Sequence, residues 1–146
     1  MSIDTLRINT TNPCLILFLL DQSGSMEESF GANIKMSKAD ALADAVNETM
    51  HNIGLKCISS NGVIRDRFEI AVMGYGATEE IKSAYMGDLS NRWAVPISEL
   101  FDKPLDYNAD DGAPIWIKST AGTVTPMTEA FHNAYDLCND WINYSN

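Results

Sequence analysis

Asp21, Ser23 and Ser25 stand at alternate positions directly after the apolar run Cys14–Leu20, with Gly24 between the two serines. One carboxylate and two hydroxyls at this spacing converge if the chain curls around a point, and Gly24 allows the backbone a tight turn there. Oxygen-only ligation suits a hard divalent cation, Mg²⁺ above all. Mn²⁺ or Ca²⁺ are substitutes, and water or a partner fills the remaining positions. The same residues also build ordinary turns, because Asp and Ser side chains cap their own backbone. On spacing alone both readings stand.

Other chemistry finds less support. Ser25 lacks the nucleophile elbow of Gly-x-Ser-x-Gly, since Glu27 occupies the place of the second glycine. An aspartyl-phosphate enzyme wants Asp-x-Asp after its first strand, and Ser23 stands at the second position. No glycine-rich phosphate loop with its lysine is present. His51 and His132 are isolated, Glu27 and Glu28 read as a solvated pair, and Trp93, Trp116 and Trp141 read as packing residues. The loop from Asp106 to Gly112 half resembles a calcium loop, but its glycine falls at position seven and Ile117 stands where the bidentate glutamate belongs. A solvated acidic loop is the other reading. Cys14, Cys57 and Cys138 show no metal-type spacing and read as free thiols. The expected protein is therefore not an enzyme.

Continuous apolar character, as in Cys14–Leu20, marks a strand covered on both faces of a parallel sheet. Ser37 then caps an amphipathic helix with Ala39, Leu42, Ala43, Val46, Met50 and Ile53 on one face and Gly54 as its C′ residue. Arg67–Tyr75 is a second strand whose alternation suggests one less buried side, giving a strand–helix–strand crossover. Short strands are expected within Glu80–Tyr85, Ala94–Ser98 and Pro114–Lys118. Thr125-Pro126 opens a last helix with Met127, Ala130, Phe131, Ala134, Cys138 and Trp141 on its apolar stripe. Taken alone, Thr125 is also a plain helix N-cap.

The chain has 146 residues, 45% of them apolar, and a formal net charge of −10. That is the size of one domain. The acidic balance disfavours nucleic acid and anionic membrane surfaces as partners. The N-terminal segment Met1–Pro13 has no basic region leading into an apolar one, and no apolar run reaches membrane-spanning length. A cytoplasmic location is expected.

The stretch Leu15-Ile-Leu-Phe-Leu-Leu-Asp-Gln-Ser-Gly-Ser-Met26, followed by an amphipathic helix, resembles the von Willebrand factor type A (vWA) family, in its bacterial intracellular form. Thr125 to Ala130 looks like the family's second motif, and Lys38 and the strand Phe68–Tyr75 fall in the family's order. The resemblance implies an α/β, Rossmann-like fold, an open and mostly parallel sheet with helices on both faces. Residues 1–12 would be an N-terminal extension and residues 13–146 the N-terminal portion of a single partial domain. It further implies a metal-ion-dependent adhesion site. Ser23 and Ser25 would ligate Mg²⁺, Thr125 would approach it directly or through water, and Asp21 would hold metal-bound waters and orient the serines. A partner protein would offer an acidic side chain to the ion.

The family's third motif is a second aspartate at the end of a later apolar strand, usually within Asp-Gly. Asp111-Gly112 is the only such pair here, and it precedes Thr125 with no apolar strand leading into it. The C-terminal strands of the domain are therefore expected to be missing, leaving Cys14–Leu20 as an edge strand. A completing C-terminal segment, a second chain or a swapped copy would then finish the sheet. The alternatives to metal-dependent protein binding are a structural half-domain whose metal site is vestigial and a hydrolase using Ser23 or Ser25.

Overall fold

The apolar run forms the first strand, β1 (Cys14–Asp21). The structure is a computed structural model that describes residues 7–122 and 126–144. After a 3-10 turn at Gly24–Glu27 the chain makes a small hairpin, β2 (Ser29–Phe30) with β3 (Asn33–Ser37). Helix α1 (Lys38–Lys56) starts in a complete capping box. The Ser37 hydroxyl accepts from the Asp40 N–H at 3.0 Å, and the Asp40 carboxylate accepts from the Ser37 N–H at 3.0 Å. The expected end at Gly54 is corrected, because α1 runs on to Lys56 and caps at Cys57. Gly54 is small for packing, not for capping: a Cβ there would run into the Phe101 ring.

Strand β4 (Phe68–Tyr75) pairs with β1 in parallel along its whole length, Cys14 opposite Phe68 and Asp21 opposite Tyr75. The next strands, β5 (Lys82–Ser83) and β6 (Ala94–Pro96), both pair antiparallel with β4. The sheet is thus mixed α/β, with one parallel pair at its heart. Short α2 (Ile97–Asp102) follows β6 directly. Pro96 gives α2 no side-chain cap, and the Asp66 carboxylate serves instead, accepting from the Ser98 N–H at 2.8 Å and its hydroxyl at 2.9 Å. A second hairpin, β7 (Asp106–Tyr107) with β8 (Pro114–Ile115), leads to α3 (Met127–Tyr144).

Burial reverses the expectation for the two long strands. The alternating one, β4, is buried from Ile70 to Tyr75, on both faces. The continuously apolar β1 is only half-buried except at Leu20. Position in the sheet explains this. β4 is central, with β1 on one side and β5 and β6 on the other, whereas β1 pairs with β4 alone among the described residues. One face of β4 presents Ile70 and Val72 to Val46 and Met50 of α1. Its other face lies beneath α3, where the Trp141 indole donates to the Glu69 carboxylate at 2.7 Å.

The core's far end is closed by Trp116, which is fully buried, donates to the Leu100 carbonyl and lies 5.2 Å from the Phe101 ring. Asn47, buried on the apolar face of α1, accepts from the N–H groups of Trp116 (2.9 Å) and Ile117 (3.2 Å) and donates to the Ile117 carbonyl (2.9 Å).

On α2, Glu99 accepts two hydrogen bonds from Arg92, at 2.7 and 3.0 Å, and one from Lys103 at 3.1 Å. These bonds hold its carboxyl down to about 2 from an ordinary 4.5. A depressed carboxylate contributes stability that is fully present above its unfolded pKa and is lost as pH falls through its folded one. The chain should therefore lose this stability between about pH 4.5 and pH 2. Acid titration of Glu99→Gln, followed by circular dichroism, should show a flatter loss in that window than the parent. Superimposable acid limbs would show that the pair contributes nothing.

Candidate functional site

Asp21 ends β1, at the C-terminal edge of the parallel pair, where open α/β sheets form ligand crevices. Its carboxylate accepts from the Ser23 N–H at 2.8 Å, which turns the chain sharply after the strand. The 3-10 turn then brings the Ser23 and Ser25 hydroxyls to 3.2 Å from each other. Ser23 is buried, with 4% of its surface exposed, while Ser25 faces solvent. Asp21, Ser23 and Ser25 are thus drawn into one turn, as their spacing suggests. Thr125 lies outside the described residues.

The donor set fits a hard cation in kind and in spacing. The 3.2 Å between hydroxyls exceeds the usual ~2.7–2.8 Å of an O–H···O bond. It lies near the ~3.0 Å that separates neighbouring oxygens around a six-coordinate Mg²⁺ with bonds of ~2.1 Å. Among the described residues no three His, Cys, Asp or Glu side chains come together as a metal-binding group. An ion at this turn would rest on the Ser23 and Ser25 hydroxyls with the Asp21 carboxylate beside them.

Residues that sequence reading passed over hold the turn in place. Gln22, the unassigned middle of Asp-x-Ser, is bonded on both sides. Its N–H donates to the Tyr75 carbonyl and its carbonyl accepts from the Gly122 N–H, each at 2.7 Å. The second bond ties the loop that precedes α3 to the serine turn. Asp21 and burial together push the Tyr75 hydroxyl up from its ordinary pKa, burial being the larger cause. Ser119 of the same loop turns its hydroxyl toward Asp40. That contact, followed by the Ser37 N–H and hydroxyl, holds the Asp40 carboxyl below the usual carboxylate range. A narrow cleft of about 10 Å³ runs between Asp21, Gln22, Ala39, Ser119 and Thr120, room for about one water. The two serine hydroxyls lie outside it. The Ser37 cap starts the helix whose Ala39, Leu42 and Ala43 form one wall of this cleft, whereas nothing local to Ser119 announces its role.

Gly122 owes its identity to close approach. A Cβ there would collide with the Ala77 carbonyl oxygen and Cα, which are backbone atoms and cannot rotate away. Gly122→Ala should displace the loop from Gln22 and cost about 1–3 kcal/mol. Urea denaturation measures the cost, and amide shifts at Gln22 and Ser23 report the displacement. An unchanged midpoint with unchanged shifts would contradict the anchoring.

Elsewhere the acidic hairpin loop turns its oxygens inward. Asn108 Oδ1 accepts from the Asp110 N–H at 2.8 Å and Asp111 Oδ1 from the Ala113 N–H at 2.9 Å. These groups cap their own loop. Cys14, Cys57 and Cys138 are free thiols. Among the described residues no helix is long and apolar enough to cross a membrane. Comparison with protein-family models, with curated proteins and with solved structures gives no match to this chain.

Proposed function

We propose that the chain is a Mg²⁺-dependent protein-recognition module of the vWA type, in which the turn at Asp21, Ser23 and Ser25 holds the ion. The observation that carries this reading is the pair of serine hydroxyls 3.2 Å apart, beside Asp21 at the end of the parallel strand β1. In this reading Ser23 and Ser25 are direct ligands and Asp21 orients them, with its charge close behind. Thr125, three residues past Gly122, is the remaining ligand of the proposal. When bound, the ion would supply an open position that attracts an acidic side chain of a partner protein, a charge-assisted contact in a partly dry cleft. In this reading the role is binding rather than catalysis.

Mn²⁺ and Mg²⁺ titration of the wild type and of Ser23→Ala/Ser25→Ala, by calorimetry, tests the proposal. The wild type should bind saturably and the double variant, still folded by circular dichroism, should not. Equal binding by both would reject the serine turn as the site.

A second reading is favoured by a different observation, the half-buried β1 at the rim of the sheet. Here the chain is an assembly half whose open edge is completed by another chain and whose serine turn is vestigial. The finer architecture, an open Rossmann-like sheet lacking its C-terminal strands, belongs to both readings.

A further inference from the structure

A groove of about 520 Å³ runs between α1 and the β7–β8 hairpin, with Asp44, Glu48 and Asn52 on the helix side and Asp111 and Pro114 on the hairpin side. It continues past Asn47 and Ile115 into a hollow of about 200 Å³ that reaches Asp40 and Ser119. From Asp40 to Asn52 the two parts follow α1 for ~18 Å, at 1.5 Å per residue. Asp21, Ser23 and Ser25 do not line it.

Asp40, Asp44 and Glu48 stand one helical turn apart. Like charges at this spacing disfavour the helix that carries them. Asp40 is engaged in the Ser37 cap, but the Asp44 and Glu48 carboxylates meet no partner among the described residues. From Ala39 to Leu55, and again from Pro104 to Ile117, the chain has no Lys or Arg. Lys118, at the Ser119 end, is the one Lys or Arg that lines the groove.

Asn47 sets a second, independent requirement. It is 8% exposed and lines both parts of the groove. Its oxygen accepts from the Trp116 and Ile117 N–H groups, and one amide N–H donates to the Ile117 carbonyl. A side-chain amide has two N–H groups, and the other finds no acceptor among the described residues. A buried donor left bare is costly, so an occupant is favoured that brings an oxygen acceptor as well as positive charge.

Spacing selects the form of that occupant. Asp44 and Glu48 are ~6 Å apart along the helix axis. Alternate side chains of an extended chain repeat every ~6.7 Å, close to the same interval. An extended peptide along α1 therefore sets every second side chain against a carboxylate and passes its carbonyls by Asn47, which lies between the two. A simple polyamine matches the charge and lacks the carbonyl. All ten Lys and Arg of the chain lie within the described residues, so residues 1–6, 123–125 and 145–146 have none to offer.

We infer that this groove takes an extended segment of another protein with Lys or Arg at alternate positions, whose backbone accepts from Asn47. The inference is independent of the metal site.

Fluorescence anisotropy of the 146-residue chain with a labelled, end-capped Arg-Ala-Arg-Ala-Arg peptide tests it. Binding should saturate, and Ala-Ala-Arg-Arg-Arg, of equal charge, should bind about fivefold more weakly because fewer ion pairs form at once. Asp44→Asn/Glu48→Gln should weaken binding about tenfold, the worth of two exposed ion pairs. Asp136→Asn/Asp140→Asn, the same charge change at exposed positions of α3, should leave it unchanged. Circular dichroism checks that both double variants are folded. The Asn47 side-chain amide signals should shift when the peptide binds. No saturation, equal affinity for the two peptides, or equal loss in the two double variants would overturn the inference. An unmoved Asn47 amide would overturn the backbone contact. Exclusion of the peptide once the chain is extended beyond Asn146 would assign the groove to the chain's own continuation and overturn the partner.

Discussion

Asn47→Ala should destabilise the chain by about 3 kcal/mol, a large share of the ~5–15 kcal/mol that holds a domain together. Asn47 sits among Ala43, Val46 and Met50 on the buried face of α1. Its amide makes all three of its hydrogen bonds to the backbone of Trp116 and Ile117. Truncation removes about 1 kcal/mol per bond and leaves those backbone groups without partners in a dry place, which costs more than the bonds alone. The segment they belong to, directly after β8, leads into the loop that reaches Gly122, so the serine turn should loosen as well. Asn47→Asp should not rescue at neutral pH, because a charged oxygen would then face the Ile117 carbonyl. Urea denaturation of both variants is the measurement. A loss below about 0.5 kcal/mol, the level of an ordinary surface change, would deny Asn47 this role.

Asp21→Asn should weaken divalent-ion binding by about 10–100-fold while leaving the turn folded. The two functions of this carboxylate separate cleanly. One oxygen accepts from the Ser23 N–H at 2.8 Å, and an asparagine carbonyl can do the same. Asparagine lacks the negative charge, and the proposed ligands Ser23 and Ser25 are neutral hydroxyls. Asp21→Ala loses both, so it should add a stability loss of about 0.5–2 kcal/mol, as other lost caps of this kind do. Mn²⁺ titration by paramagnetic relaxation, beside thermal unfolding, distinguishes the effects. Unchanged affinity in Asp21→Asn would remove the carboxylate from the proposed site.

The contrast between Asp21 and Asn47 shows what a chain of letters displays. The Asp-x-Ser-Gly-Ser turn is local, and its contacts, Asp21 to Ser23 and Ser23 to Ser25, span only two residues each. Asn47 bonds to partners about seventy positions away and interrupts the apolar pattern that reveals α1. Parity of apolar residues reported where β1 and β4 lie but misjudged which is better covered, since burial depends on neighbours in the sheet. Gly54 shows the same limit. Its apparent helix-stop meaning gave way to the Phe101 ring, which arrives from α2. Ser37 was legible as a cap because the bond it makes, to the Asp40 N–H, closes within four residues.

The central place of β4 carries a kinetic consequence. Every strand of the main sheet pairs with β4, so the sheet cannot come apart from the middle. β1 and α3 form the flank that can open while α1, β4, α2 and Trp116 stay assembled, a partial unfolding unit of lower cost than the whole. The serine turn joins that flank to α1 and to the end of β4. A ligand held there opposes that opening. Occupancy would therefore be felt as slower breathing of β1, transmitted to the Ile16, Phe18 and Leu20 amides that bond to β4, and the turn would report its own ligand through the sheet.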